Sequence, residues 1–145
     1  MIKMRIYLDT CCYNRPFDDK RQMKIRLESM AKLYIQKKVY DGAYDLVWSY
    51  ILDYENKENP YGDRRENIQD WEERSVFYCE PLDEILDKTK ELKTKGIKRK
   101  DALHISCALY SGCEYFITTD YKLLKKQVDG IKIVNPITFI EEMGE

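Results

Sequence analysis

The chain is poor in the residues that most often hold soft metals. It has one histidine, His104, in 145 residues. Its five cysteines, at 11, 12, 79, 107 and 113, include no Cys-x-x-Cys pair. An odd number without ligand spacing argues against a disulfide framework and a structural zinc, and points to reduced, buried thiols. No apolar run approaches the ~18 residues that span a bilayer, so no membrane role is expected. The first residues, Met-Ile-Lys-Met-Arg-Ile-Tyr-Leu-Asp, reach Asp9 before a signal-peptide apolar region can form. The expected location is cytoplasmic. Internal repeats, low-complexity tracts and linkers are missing too. The formal net charge of −1 does not announce a nucleic-acid binder.

What is present fits a charged globular protein. The hydrophobic share of 43% against 35% charged is too apolar for a disordered chain. The length suits one domain, residues 1–145, with a single sizeable core. Charge is distributed unevenly. Between positions 88 and 100 lie seven basic residues (Lys88, Lys90, Lys93, Lys95, Lys98, Arg99, Lys100) and one acid, Glu91. Between 53 and 74 lie eight acids and four bases. The basic run is either a solvated helix face or a phosphate-binding surface.

The periodicities alternate along the chain. Residues 4–8 (Met-Arg-Ile-Tyr-Leu) form a short apolar run that predicts a buried first strand ending at Asp9-Thr10. A loop with turn chemistry follows, and Asp18 or Asp19 is placed to cap a helix over residues 20–38. Met23, Leu27, Met30, Ala31 and Tyr34 give that helix one apolar face. Residues 44–48 predict strand two, and Ser49 caps a helix carrying Glu55. Asn59-Pro60-Tyr61-Gly62 interrupts a charged helical arm that continues over 63–74 with Ile68 and Trp71 as its apolar contacts. Residues 76–79 predict strand three, and Leu82, Ile85, Leu86, Thr89 and Leu92 a helix closed by Gly96.

Residues 96–120 are the most informative stretch. Positions 102–110 hold only His104 and Ser106 as polar side chains, which predicts a helix buried on nearly every side. Asp101 opens it, Gly112 ends it, and Tyr115-Phe116-Ile117 predicts a strand ending at Thr118-Thr119-Asp120. A short helix over 121–126, a last strand over 131–134 and a closing helix capped by Asn135-Pro136 complete the chain. Strands alternating with helices predict an α/β fold, a mostly parallel sheet with helices on both faces.

In such a sheet, sites form at the carboxyl ends of strands. Asp9, Asp120 and, with a short connection, Asp101 belong to that edge, and Glu55 sits early in the helix after strand two. Four crowded carboxylates repel one another unless cations lie among them. Oxygen ligands without cysteine or histidine select hard ions, Mg²⁺ or Mn²⁺. Paired ions of this kind serve in-line phosphodiester displacement. For Asp101 alone, helix capping is an equally good reading.

These motifs together resemble the PIN domain, the metal-dependent ribonuclease fold of VapC-type toxins. The resemblance spans essentially the whole chain. It rests on Ile6-Tyr7-Leu8-Asp9-Thr10, on Ser49 with Glu55 six residues later, on the segment Asp101-Ala102-Leu103-His104-Ile105-Ser106-Cys107-Ala108, and on Thr118-Thr119-Asp120. It implies a three-layer fold with sheet order 3-2-1-4-5 and frequently a homodimer. It also implies an endoribonuclease whose Asp9, Glu55, Asp101 and Asp120 are the catalytic and metal-binding acids. RNA would be the substrate, the products would carry 5′-phosphate and 3′-hydroxyl ends, and an antitoxin protein would be the partner.

Thr10, Asn14, Arg15, Lys100 and Thr118 are the candidate substrate contacts. The loop Asn14-Arg15-Pro16-Phe17-Asp18-Asp19 resembles a PIN subgroup. Asn14 and Arg15 either touch substrate or fix their own turn. Thr118 either orients a carboxylate or binds a phosphate oxygen. Glu58, at i+3 from Glu55, is able to share its face, whereas Asp53 points elsewhere. His104 is read as packing or hydrogen-bonding rather than as a general base, which a two-metal site does not need. The twelve tyrosines either stack on unpaired bases or, for the most part, serve as core or dimer contacts, Tyr50 and Tyr54 beside Trp71 among them.

The alternative within the same resemblance is a non-catalytic PIN scaffold that binds RNA or a protein. Two other acid-lined α/β folds fit poorly. A haloacid-dehalogenase phosphatase wants Asp-x-Asp where this chain has Asp9-Thr10-Cys11, and a receiver domain wants a lysine after the last strand, where Asn135-Pro136 stands.

Overall fold

The computed structural model describes residues 3–15, 18–19 and 21–145. Five parallel strands form one sheet in the order β3-β2-β1-β4-β5. They are β1 (Met4–Leu8), β2 (Tyr44–Ser49), β3 (Phe77–Cys79), β4 (Tyr115–Ile117) and β5 (Lys132–Val134). The helices are α1 (Thr10–Asn14), α2 (Met23–Tyr40), α3 (Tyr50–Lys57), α4 (Gly62–Gln69), α5 (Asp83–Thr94), α6 (Arg99–Tyr110) and α7 (Pro136–Glu142). The fold class and strand order agree with the expectation.

Side-chain alternation along β1 shows how the helices divide. Tyr7 reaches the His104 ring of α6 at 5.7 Å. Its neighbour Ile6 pairs in register with Tyr115, which packs against Phe139 of α7 at 5.0 Å between ring centres. Adjacent strand residues face opposite sides, so α6 and α7 cover opposite faces of the sheet. The central strands β1 and β4 are buried through Ile6, Tyr7, Leu8, Phe116 and Ile117, as an all-parallel sheet requires.

The helix α6 is embedded as its composition predicts, with every residue from Ala102 to Ala108 buried. Burying side chains such as Leu103 and Ile105 contributes ~1.5–3 kcal/mol each. Its start differs slightly. The helix begins at Arg99 with Lys98 as an N-cap lacking a side-chain hydrogen bond, so Asp101 lies within the first turn and is not the cap. Gly96 and Gly112, with φ of +87° and +77°, supply the left-handed turns on either side.

The main correction concerns α2. Its expected apolar face is mostly outward: Met23 and Met30 are each 62% exposed, and Leu27 and Tyr34 are exposed too. The buried set is Glu28, Ser29, Ala31, Lys32, Ile35, Gln36 and Val39. Positions 28, 32, 35 and 39 are the same helical pattern moved by one residue, about 100° of rotation. Inward polar groups with tertiary partners outweigh the simple apolar stripe. Glu28 accepts from Asn135 Nδ2 at 2.5 Å and lies 3.4 Å from Arg15 Nε, and Ser29 Oγ donates to the Arg15 carbonyl at 3.0 Å.

Three smaller expectations also change. Neither Asp18 nor Asp19 caps α2, whose N-cap is Gln22. Asp18 is drawn to Arg15 instead, and Asp19 accepts from the backbone and guanidinium of Arg21. Lys20, Pro16 and Phe17, on which part of the helix and loop reading fell, lie outside the described residues. The helix expected over 121–126 is a single 3-10 turn, Leu123–Lys125, too short to propagate. Strand three begins at Phe77 rather than Val76, and strand five at Lys132, because Ile131 pairs back with Val128.

All five cysteines are free, and all but Cys11 are buried. No helix among the described residues is long and apolar enough to cross a membrane.

Candidate functional site

Asp9 stands where β1 stops. Its amide donates to the Ile117 carbonyl of β4 at 2.9 Å, which ties the two strand ends together. Its carboxylate N-caps α1, accepting from Thr10 N at 2.8 Å, and its second oxygen accepts from Thr118 Oγ1 at 2.9 Å. The side chain is therefore fixed, and only 6% of the residue is exposed. Thr118 is itself fully buried and also accepts from Asp120 N at 3.1 Å. Its hydroxyl orients two acids of the cluster and is spent within the protein.

Glu55 arrives from the second strand–helix unit. Ser49 ends β2 and caps α3 by accepting from Leu52 N at 3.3 Å. Six residues on, Glu55 Oε1 accepts from Thr10 Oγ1 at 2.6 Å and from His104 Nε2. Glu55 faces the cluster, while Glu58 is the exposed C-terminal cap of α3. Asp53 turns away, accepting from Trp48 Nε1 at 2.7 Å, Gln69 Nε2 at 2.8 Å and the Tyr78 hydroxyl. Burial works against the charge of Glu55, but the His104 and Thr10 hydrogen bonds and nearby Lys100 bring its carboxyl below the ordinary range.

His104 is 1% exposed and joined on both ring nitrogens. Nδ1 lies 2.6 Å from the Tyr7 hydroxyl, which in turn lies 2.6 Å from Ser49 Oγ. This row is complete in either protonation state, with the Tyr7 and Ser49 hydroxyls turning to suit. Burial disfavours the imidazolium, yet the Glu55 hydrogen bond and the charges of Asp9, Glu55 and Asp101 raise the His104 pKa above its usual value. The imidazole is a buried support for Glu55. Sequence reasoning saw the histidine but not its Tyr7–Ser49 backing, which no spacing in the chain announces.

Asp101 and Asp120 complete the cluster. Burial first, then the charges of Asp9 and Asp120 and more weakly Glu55, push the Asp101 pKa up to about 6. That like-charge pressure registers the convergence of four acids from β1, α3, α6 and the end of β4. Asp120 also accepts from Lys122 N at 2.9 Å and Leu123 N at 3.3 Å, starting the turn that follows it.

Asp101 and Asp120 line a cleft of about 360 Å³ whose walls carry Lys98, Lys122, Lys125 and Lys126. The last three follow Asp120 directly in the chain, but no motif marks them. Lys100 is exposed and acts electrostatically on Glu55. Asn14 and Arg15 are engaged by the protein. Asn14 Nδ2 donates to the Thr10 carbonyl at 3.2 Å and its Oδ1 accepts from Asn59 at 3.3 Å. Arg15 donates to Thr119 Oγ1 at 2.8 Å and Asp18 at 3.1 Å, beside Glu28.

Among the described residues, one group has metal-ligand spacing: Asp9, Glu55 and His104 each offer an atom, all within 4.8 Å of one another. With both His104 nitrogens engaged, the available donors are carboxylate oxygens. Asp101 and Asp120 are not in that closely spaced group; Asp101 is raised by burial first and then by the charges of Asp9 and Asp120, and a hard divalent ion among the carboxylates would relieve the repulsive part.

No family model and no curated protein matches the chain. Among solved structures it is similar to a chain of VapBC2 from Rickettsia felis bound to a DNA fragment from their promoter. The identity is 16% and the TM-score 0.56, over 91% of this chain and 98% of that one. The likeness is one of fold: an α/β arrangement with its parallel sheet ordered 3-2-1-4-5, consistent with a PIN-like fold.

Proposed function

We propose that this chain is a Mg²⁺- or Mn²⁺-dependent endoribonuclease and the toxin of a toxin–antitoxin pair. The observation that carries the reading is the acid cluster, four carboxylates from four elements at one sheet edge, where burial first and then repulsion from the neighbouring acids raise Asp101 to about 6. The fold likeness to a VapBC chain supports the same reading. Asp9, Glu55, Asp101 and Asp120 would hold the ions. A divalent ion bound there supplies activation of water and stabilisation of negative charge on the phosphoryl oxygens.

The chain's own residues do the rest. Thr118 and Thr10 fix the orientations of Asp9 and Glu55, and His104 holds Glu55 from behind. Lys98, Lys122, Lys125 and Lys126 along the cleft, with Lys100 near Glu55, hold the flanking RNA phosphates. Asn14 and Arg15 act on the site by shaping α1 and the Thr119 corner. The exposed stripe Met23, Leu27, Met30 and Tyr34 on α2 offers an apolar surface for a protein partner, either an antitoxin or a second copy.

The test is RNA cleavage by the purified chain with Mn²⁺ and with EDTA, beside Asp9→Asn and Asp120→Asn. Cleavage should require the ion, and each variant should lose at least about a hundredfold while still folding. Metal-independent cleavage, or full activity in either variant, would sink the assignment. RNA binding without turnover in the native chain would make it a scaffold.

A further inference from the structure

Beside the acid cluster stands a tyrosine with no part in holding ions. Tyr121 follows Asp120 directly, in the turn that the Asp120 carboxylate starts by accepting from Lys122 N and Leu123 N. It is 62% exposed, so its ring is not part of the core. Two ammonium groups from different elements approach that ring. Lys125 Nζ, from the 3-10 turn, lies 4.3 Å from its centre, and Lys24 Nζ, from the start of α2, lies 5.6 Å away. Lys125 also lines the cleft that holds Asp101 and Asp120. One side chain thus connects the ring to the acid-lined cleft. Tyr54, also exposed and next to an acid in the chain, differs. It precedes Glu55 on α3, and adjacent helical side chains point about 100° apart.

A lone exposed aromatic needs no explanation. An aromatic set among lysines at the edge of an acid-lined cleft is different. It has the pattern of a single-stranded nucleic-acid surface, where cations track the backbone and rings take the bases. We infer that Tyr121 is a stacking platform for an unpaired nucleobase of the RNA, on a nucleotide flanking the bond that is cut, with Lys125 and Lys24 holding the adjoining phosphates. The inference rests on the nuclease reading for its ligand and names the form of RNA which that ligand takes. In a duplex both faces of a base are covered by its neighbours in the stack. The ring therefore reaches only a base in a single strand, a loop or an end. Lys125 gives up part of its hold on the ring when the base arrives. A cation–π contact at an exposed site is worth less than base–aromatic stacking, and the ammonium gains a phosphate in exchange. Stacking reads no base edge, so Tyr121 selects unpaired RNA without fixing its sequence.

The test measures binding rather than turnover, in the whole Asp9→Asn chain with EDTA. The probes are a 5′-fluorescein oligoribonucleotide of about eight nucleotides and the same strand annealed to its complement. Single-strand binding should fall about tenfold in Tyr121→Leu and be kept in Tyr121→Phe, which retains the ring. Duplex binding should be the same in all three proteins. AMP and ribose 5-phosphate are then titrated against the ring-proton NMR signals of Tyr121. AMP should move them upfield saturably, whereas ribose 5-phosphate, which has no base, should not. Equal single-strand binding by Tyr121→Leu, or equal shifts with the two small probes, would overturn the stacking role. So would an equal loss of single-strand and duplex binding in Tyr121→Leu, or no single-strand binding by the Asp9→Asn chain. None of these results touches Mn²⁺-dependent cleavage by the native chain, whose absence would overturn the nuclease reading separately.

Discussion

Asp101 shows how one side chain reports on its neighbours. Its carboxyl is half-buried and faces Asp9 and Asp120. Its pKa of about 6 lies above the ordinary 3.8, so the folded protein holds this proton more tightly than the unfolded chain. The metal-free protein therefore loses stability as pH rises from about 4 to about 6, and the penalty is full at neutral pH. Asp101→Asn should remove it. After discounting for solvent screening, the gain is about 1–2 kcal/mol. Urea unfolding at pH 5 and pH 7 in EDTA measures it, with the larger gain expected at pH 7. The same variant should lose RNA cleavage. A protein made more stable and less active by one substitution is the signature of a charge cluster kept for a ligand. Equal stability of native and variant protein at pH 7 would mean that the Asp101 charge carries no penalty from burial and its acidic neighbours.

Helix α2 illustrates what a periodicity cannot decide. Two stripes one residue apart both read as amphipathic, and Ala31 belongs to both. The inner stripe is chosen by Glu28, which meets Asn135 at the start of α7 and Arg15 after α1. Asn135 does two things at once: its side-chain oxygen caps α7 by accepting from Ile137 N at 2.8 Å, and its amide donates to Glu28. A cap alone is worth about 1 kcal/mol, and a buried bond to a charged group about 1.5–3. Asn135→Ala should therefore cost about 2–4 kcal/mol in equilibrium unfolding. Asn135→Ser, which restores the cap only, should recover about 1 of these. A loss near 1 kcal/mol in Asn135→Ala would show that the Glu28 contact contributes nothing.

The site is a property of the assembled sheet. Parallel strands in the order β3-β2-β1-β4-β5 place the ends of β1 and β4 side by side and bring the start of α6 to them. The lysines then separate into two groups. Lys98, Lys122, Lys125 and Lys126 share the cleft with Asp101 and Asp120, whereas Lys90 and Lys93 lie on the exposed side of α5. RNA binding by an Asp9→Asn background should lose salt dependence when the cleft lysines are neutralised, by roughly 0.7 in log–log slope per phosphate contact removed. Lys90→Gln with Lys93→Gln should leave the slope unchanged. The opposite result would place the RNA path along α5, where the density of basic residues in the sequence first directs attention.

Local chemistry made much of this legible beforehand. Strand-forming apolar runs, Ser49 and Asn135 as caps, glycines at 96 and 112, and the buried stretch from Ala102 to Ala108 depend on neighbours a few residues away. The alternation of these elements determined an α/β class with its acids at one edge. Tertiary structure alone decided the rest. Which face of α2 turns inward depends on Glu28 meeting residues 13 positions before it and 107 after it. That Arg15 and Thr118 are spent on internal hydrogen bonds, and that Tyr7 and Ser49 stand behind His104, depends on pairings across 42 to 109 positions. The approach of Lys24 to the Tyr121 ring belongs to the same class. It has no sequence pattern, because only the assembled sheet brings the start of α2 to the turn after β4.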